Sequence, residues 1–186
     1  LGEQRWGERN FAVINLRTAH LPYEENYDQH HEPLPSWPVD PTLPREERQR
    51  NAYDNAILET DDFLSKTIQM LSQDTTHDTA MIYVSDHGES LGEGNVYLHG
   101  LPYSIAPDTQ IKVPMVAWLS PGMASGKGVN TACVRSRASQ PISHDNLFHS
   151  VLGLMQVRSS AYDAALDVFS ACAGVSMPQA SRMSFV

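Results

Sequence analysis

The chain has 186 residues, with 22 Asp and Glu against 13 Lys and Arg, giving a formal net charge of -9. That length suits one domain, and an acidic balance without a Lys/Arg run excludes a nucleic-acid-binding face. No apolar run reaches the roughly 20 residues needed to cross a bilayer and no secretory leader opens the sequence, while a start at Leu1 leads us to expect a piece of a longer polypeptide.

Phe11 to Leu16 is apolar and predicts a central strand. It runs into Arg17–Tyr23, placing His20 just beyond the strand end; on its own this histidine reads first as a loop residue held beside Pro22. From Tyr27 to Pro44 the prolines at 33, 35, 38, 41 and 44 exclude a helix or an interior strand. The segment predicts an irregular surface excursion, with His30 and His31 solvated rather than acting as ligands. Arg45–Ser72 is the clearest helix, because Tyr53, Ala56, Ile57, Thr60, Phe63, Leu64, Thr67 and Leu71 recur at helical spacing. Pro44 and Glu46-Glu47 suit its first turn. Met81–Val84 predicts a second, buried strand, so that strand, helix and strand would form a right-handed crossover.

That second strand stops at Ser85-Asp86-His87-Gly88, which puts a carboxylate and an imidazole at the carboxyl end of a strand, where open α/β sheets bind ligands. Asp and His together suit zinc. Taken alone, the pair reads first as a loop cap beside a buried histidine. A loop containing Gly88, Gly92 and Gly94 then delivers a second histidine, His99. Gly100–Asp108 reads as a loop and Val113–Leu119 as a third strand. Ser120–Val129 reads as a surface turn and Leu147–Met155 as an amphipathic helix opened by Ser143. His144 and Asp145 are read as helix-start residues rather than catalytic ones. Cys133 and Cys172 have no zinc-finger spacing; they form one disulfide in an exported domain or remain two buried thiols in a reducing compartment. Residues 1–172 are expected to form one domain and 173–186 a frayed tail.

Ser85-Asp86-His87-Gly88-Glu89-Ser90-Leu91-Gly92-Glu93, with Tyr97 through Pro102-Tyr103 and Ile105-Ala106-Pro107, resembles the catalytic domain of bacterial phosphoethanolamine transferases, members of the alkaline phosphatase and sulfatase superfamily. Asn51–Asn55, Val113-Pro114-Met115 with Trp118, Ser143–His149 and Tyr162-Asp163 leading to Asp167 and Cys172 carry it further, so it covers roughly Phe11 to Cys172. The resemblance implies an α/β fold, a three-layer sheet flanked by helices, present here as a C-terminal fragment. It implies that Asp86 and His87 are zinc ligands and that His99 and His20 bind a second zinc or the substrate phosphate. His20 is flanked by Ala19 and Leu21, where many relatives read Ser-His-Gly, and Gly94-Asn95 stands where relatives often read Asn-Gly.

In the family a threonine nucleophile takes phosphoethanolamine from phosphatidylethanolamine and passes it to lipid A. No threonine of this chain matches that nucleophile, which, with a further zinc-binding glutamate and the membrane helices, is expected upstream. The resemblance also implies a catalytic domain in the periplasm of an inner-membrane protein and favours a Cys133–Cys172 disulfide. The alternatives are a related phospho- or sulfo-ester hydrolase or transferase and an inactive metal-binding remnant.

Overall fold

The computed structural model describes residues 9–27 and 36–174. The chain divides into two compact units, one made of Ala12–Thr75 with Met81–Trp118, the other of Leu1–Phe11, Thr76–Ala80 and Leu119–Val186. His30 and His31 lie outside the described residues.

The first of these units is built on the long helix α1, Arg45–Ser72, at the bounds its periodicity predicts. Pro44 precedes it and Glu46 and Glu47 occupy its first turn, where acids complement the helix dipole. Its inward face buries Asn51, Ala52, Asn55, Ala56 and Thr60, positions spaced three and four apart and therefore stacked on one side. Ala52 packs with Tyr23 and Leu91 to form the core, flanked by Val39 and Tyr53. The Tyr23 and Tyr53 rings meet edge to face at 5.3 Å. An aromatic side chain burying roughly 150–250 Å² contributes on the order of 4–6 kcal/mol at about 25 cal/mol per Å², so Tyr23 is the main apolar anchor here. The two buried asparagines hold the proline-rich segment. Asn55 accepts from the Trp37 amide at 2.8 Å and donates to the Trp37 carbonyl at 2.9 Å, and Asn51 donates to the Pro38 carbonyl at 2.7 Å.

Strand β1, Ala80–Val84, pairs with β4, Met115–Leu119. Between them lie a short antiparallel hairpin, β2 (Ser90–Leu91) and β3 (Tyr97–Leu98), and a one-turn helix α2, Asp108–Ile111. Ser90 stands opposite Leu98 and Leu91 opposite Tyr97. The hairpin reverses through Gly92, whose φ of +122° belongs to glycine and whose added Cβ would meet the Tyr97 ring at 3.2 Å.

Four expectations are corrected, the first being that Ser120–Val129, read as a surface turn, contains a short helix at Pro121–Gly126 capped by Ser120. Phe11–Leu16 is not a strand: no described strand offers its backbone a ladder, and Phe11, Val13 and Ile14 are exposed. Without it the expected crossover onto β1 does not form among the described residues. β1 itself is half-buried along its whole length rather than fully buried, because among the described residues only β4 flanks it. The stretch after His87 that read as loop contains β2, β3 and α2.

The other unit carries α3 (Pro121–Gly126), α4 (Thr131–Ser136) and α5 (Asp145–Met155). Ser120 caps α3 by accepting from the Met123 amide, and Asn130 caps α4 by accepting from the Cys133 amide. At the start of α5 the Ser143 hydroxyl accepts from the Asp145 amide while Asn146 reaches back to the Ser143 amide, a reciprocal cap. Cys133 and Cys172 are joined by a disulfide. Val129 bridges Ala173, and the Gly174 amide donates to the Gly128 carbonyl at 2.9 Å. The first two residues of the expected tail are therefore held in place; the rest of it lies outside the described residues. Beneath α5, the buried Asp167 accepts from the Tyr162 hydroxyl at 2.8 Å and the Phe169 amide at 2.9 Å.

Candidate functional site

The end of β1 presents Asp86 and His87 as its composition suggests. Asp86 is almost fully exposed, and its Oδ2 lies 3.9 Å from His87 Nε2. His87 Nδ1 faces the Gly88 carbonyl at 2.9 Å, so Nδ1 carries the hydrogen and Nε2 offers its lone pair outward. His99 follows β3 and stacks on His87, ring centroids 3.8 Å apart and planes 29° from parallel. Its Nδ1 lies 3.3 Å from Glu89 Oε2, and the Glu89 side chain is only 6% exposed. A carboxylate behind a histidine fixes ring and tautomer, an arrangement common behind metal- and phosphate-binding imidazoles. The chain thus brings Asp86, His87 and His99 together.

His20 is held locally instead. Its Nδ1 faces the Leu21 carbonyl at 2.7 Å, and its own carbonyl accepts from Asn26 at 2.6 Å. No described contact joins it to the other three.

The local field is negative. Burial, and then the Glu89 carboxylate, push the Tyr23 and Tyr53 hydroxyls above their ordinary range. Burial and then Asp86 do the same to Tyr83. These phenols keep their protons. Among the described residues Glu89 Oε1 is buried without a hydrogen-bond partner, a costly arrangement for a carboxylate oxygen.

Zinc fits this donor set in type. Ligands on one tetrahedral zinc at about 2.0–2.2 Å stand roughly 3.3–3.6 Å apart, and the Asp86–His87 separation of 3.9 Å is close to that. In number the set is incomplete: among the described residues no group of three or more His, Cys, Asp or Glu is placed to hold a metal.

Sequence reasoning assigned no role to Glu89. An acid between Gly88 and Ser90 looks like solvated loop; the available signal was its place in the quoted string, two residues after His87.

Comparison with known proteins bears on this site directly. The sulfatase family profile matches residues 2–157. The chain belongs to the sulfatase family. This sulfatase-family chain is 49% identical over 129 residues to phosphoethanolamine transferase EptA of Salmonella typhimurium, covering 68% of the chain and 24% of that relative. It is 41% identical over 104 residues to the enzyme of the same name from Helicobacter pylori, covering 56% of the chain and 19% of the relative. Among solved structures it matches the soluble domain of lipooligosaccharide phosphoethanolamine transferase A from Neisseria meningitidis. That match has a TM-score of 0.72 at 35% identity and covers 82% of this chain and 47% of that one. The C-terminal periplasmic domain of phosphoethanolamine transferase EptC from Campylobacter jejuni matches at TM-score 0.60 and 34% identity, over 72% of this chain and 41% of that one. The expected sulfatase-like fold is therefore present. The chain spans about a quarter of the Salmonella relative's length and about half of the Neisseria soluble domain.

Proposed function

We propose that this chain is the C-terminal, zinc-holding part of a phosphoethanolamine transferase that moves phosphoethanolamine from phosphatidylethanolamine to a phosphate of lipid A. Asp86 and His87 Nε2 hold the ion. His99, with Nδ1 on Glu89, presents Nε2 to a second ion in its neutral form or donates from it to a phosphate oxygen as imidazolium. His20 is the further phosphate or second-metal candidate, on the family resemblance alone. Zinc, when bound, supplies positive charge for the non-bridging phosphate oxygens and favours a deprotonated nucleophile. The nucleophilic threonine, the covalent intermediate it forms, the remaining zinc ligand and the membrane helices are assigned to sequence outside Leu1–Val186. The reading places the domain in the periplasm, on an inner-membrane protein.

The observation that carries the proposal is the Asp86–His87–His99 group, with its buried Glu89, inside the residues 2–157 that the sulfatase profile matches, in a chain similar to transferases of that name. A chimera tests it, in which residues 11–172 replace the matching region of the Salmonella relative and labelled phosphatidylethanolamine is supplied. Labelled lipid A is expected, with transfer abolished by Asp86→Asn or His87→Ala while circular dichroism is unchanged. Transfer unaffected by either substitution would refute the assignment. Release of free phosphoethanolamine without lipid labelling would point to an ester hydrolase, and zinc binding without turnover to an inactive remnant.

A further inference from the structure

Gln110 belongs to none of the ligand-type side chains, yet it is tied to both loops that present them. It sits on α2 and is 5% exposed. Its backbone carbonyl accepts from the Gly88 amide at 2.9 Å, the peptide immediately after His87. Its side-chain Nε2 donates to the Ser90 hydroxyl at 3.0 Å. Its Oε1 faces the Leu101 amide at 3.4 Å, two residues beyond His99. Ser90 is fully buried and its hydroxyl also meets that of Thr109 at 3.2 Å. At Gly88 an added Cβ would fall inside the Thr109 carbonyl and 3.2 Å from Gln110 Cα. The turn after His87 is thus seated directly on α2.

We propose that Gln110 is a positioning residue that sets the distance and tilt between His87 and His99 by cross-linking the loop at 86–90 to the loop at 99–101. The hairpin that otherwise joins them has only two residue pairs, too few to hold two loops in fixed relation by itself. His99 itself meets Glu89 at 3.3 Å, at the long end for a hydrogen bond, and stacks on the His87 ring. A glutamine amide is suited to the task because it donates and accepts at the same time. One group is satisfied on each loop, and burial makes leaving either unsatisfied costly. What the two histidines bind rests on the proposed function; their mutual geometry does not.

The test uses the 186-residue chain as wild type, Gln110→Met, Ser90→Ala and Asn51→Ala. Gln110→Met keeps length and volume while removing both polar groups. Ser90→Ala removes only the Nε2 partner and guards against a misfolded first variant. Asn51→Ala is the control, since it loses a buried hydrogen bond to the Pro38 carbonyl. In metal-free protein, imidazole proton spectra report the mutual ring-current shifts of His87 and His99. Those shifts should collapse in Gln110→Met, weaken in Ser90→Ala and persist in Asn51→Ala. Zinc affinity, measured with Zn(II) alone against a competing chelator, should fall roughly 10–100-fold in Gln110→Met and stay at the wild-type value in Asn51→Ala. Wild-type ring shifts in folded Gln110→Met or in Ser90→Ala would overturn the proposal and leave Gln110 as a packing residue. Failure of the wild-type chain to bind zinc would count against the zinc reading, while the ring shifts would still decide the role of Gln110.

Discussion

Replacing Gly88 with alanine presses on a point where the candidate site rests directly on α2. The new Cβ would occupy the space of the Thr109 carbonyl oxygen, a backbone atom that cannot rotate away. Relief requires α2 to move off the turn, which breaks or stretches the Gly88 amide bond to the Gln110 carbonyl, now 2.9 Å. Overpacking of this kind costs about 1–3 kcal/mol, and the lost hydrogen bond adds about 0.5–1.5 kcal/mol. The smaller unfolded-state entropy of alanine returns about 0.4–1 kcal/mol. At mid-range these leave a net loss of about 2 kcal/mol, or roughly a 30-fold fall in the folded-to-unfolded ratio. Urea unfolding followed by tryptophan fluorescence, analysed by linear extrapolation, measures it. Gly126→Ala is the matched control. It ends α3, its Cβ would meet only Asp78 Oδ2 at an ordinary 3.6 Å, and alanine in a helix is favoured over glycine by up to about 1 kcal/mol. The two substitutions should therefore shift the midpoint in opposite directions. A Gly88→Ala midpoint equal to or above wild type would show that the turn and α2 are not seated as described.

The disulfide and the Tyr162–Asp167 pair give further tests. Denatured, unreduced protein should show no free thiol. Reduction should remove about 4 kcal/mol from a link spanning 39 residues in the chain-entropy account, and an unchanged urea midpoint after reduction would contradict it. Burial, with Asp167 alongside, pushes the Tyr162 hydroxyl up to about 12 from its ordinary 10.0. A raised pKa favours the protonated folded form, so this contribution is complete below pH 10 and is lost as pH rises from 10 toward 12. Asp167 is also raised, by burial first, so its contribution is complete below its ordinary 3.8 and is lost as pH climbs above that. Tyr162→Phe should flatten the alkaline limb of stability against pH, and an undiminished limb would remove Tyr162 as its source.

Which parts of this structure were legible in the sequence follows from the range of the forces involved. Helix α1 declares itself because 28 residues of apolar spacing repeat one local rule. The Asp86-His87 turn does so because a strand followed by Gly leaves the side chains between them at a predictable place. Phe11–Leu16 has a strand's composition, but a strand exists only with a neighbour to pair, and composition carries no information about neighbours. The two-residue strands and the single turn of α2 are too short to show any period. Glu89 escaped for a related reason. Tyr23 and Tyr53, which feel its charge, are far from it in sequence, so nothing local separates it from an ordinary loop acid. Gln110 likewise acquires its partners only when two loops close over α2.

Besides donating to the Tyr27 hydroxyl at 3.3 Å, Asn55 holds Trp37 of the proline-rich segment by its backbone, through the Trp37 amide and carbonyl. Such a grip is indifferent to the side chain at its far end, and the exposed Trp37 ring takes no part in it. Mutational tolerance should therefore be lopsided across this contact. Position 37 can accept most residues that keep an amide hydrogen, whereas position 55 can accept almost none besides asparagine. Random libraries over the segment would diversify the surface it displays without releasing its anchor, and the helix beneath would retain its sequence.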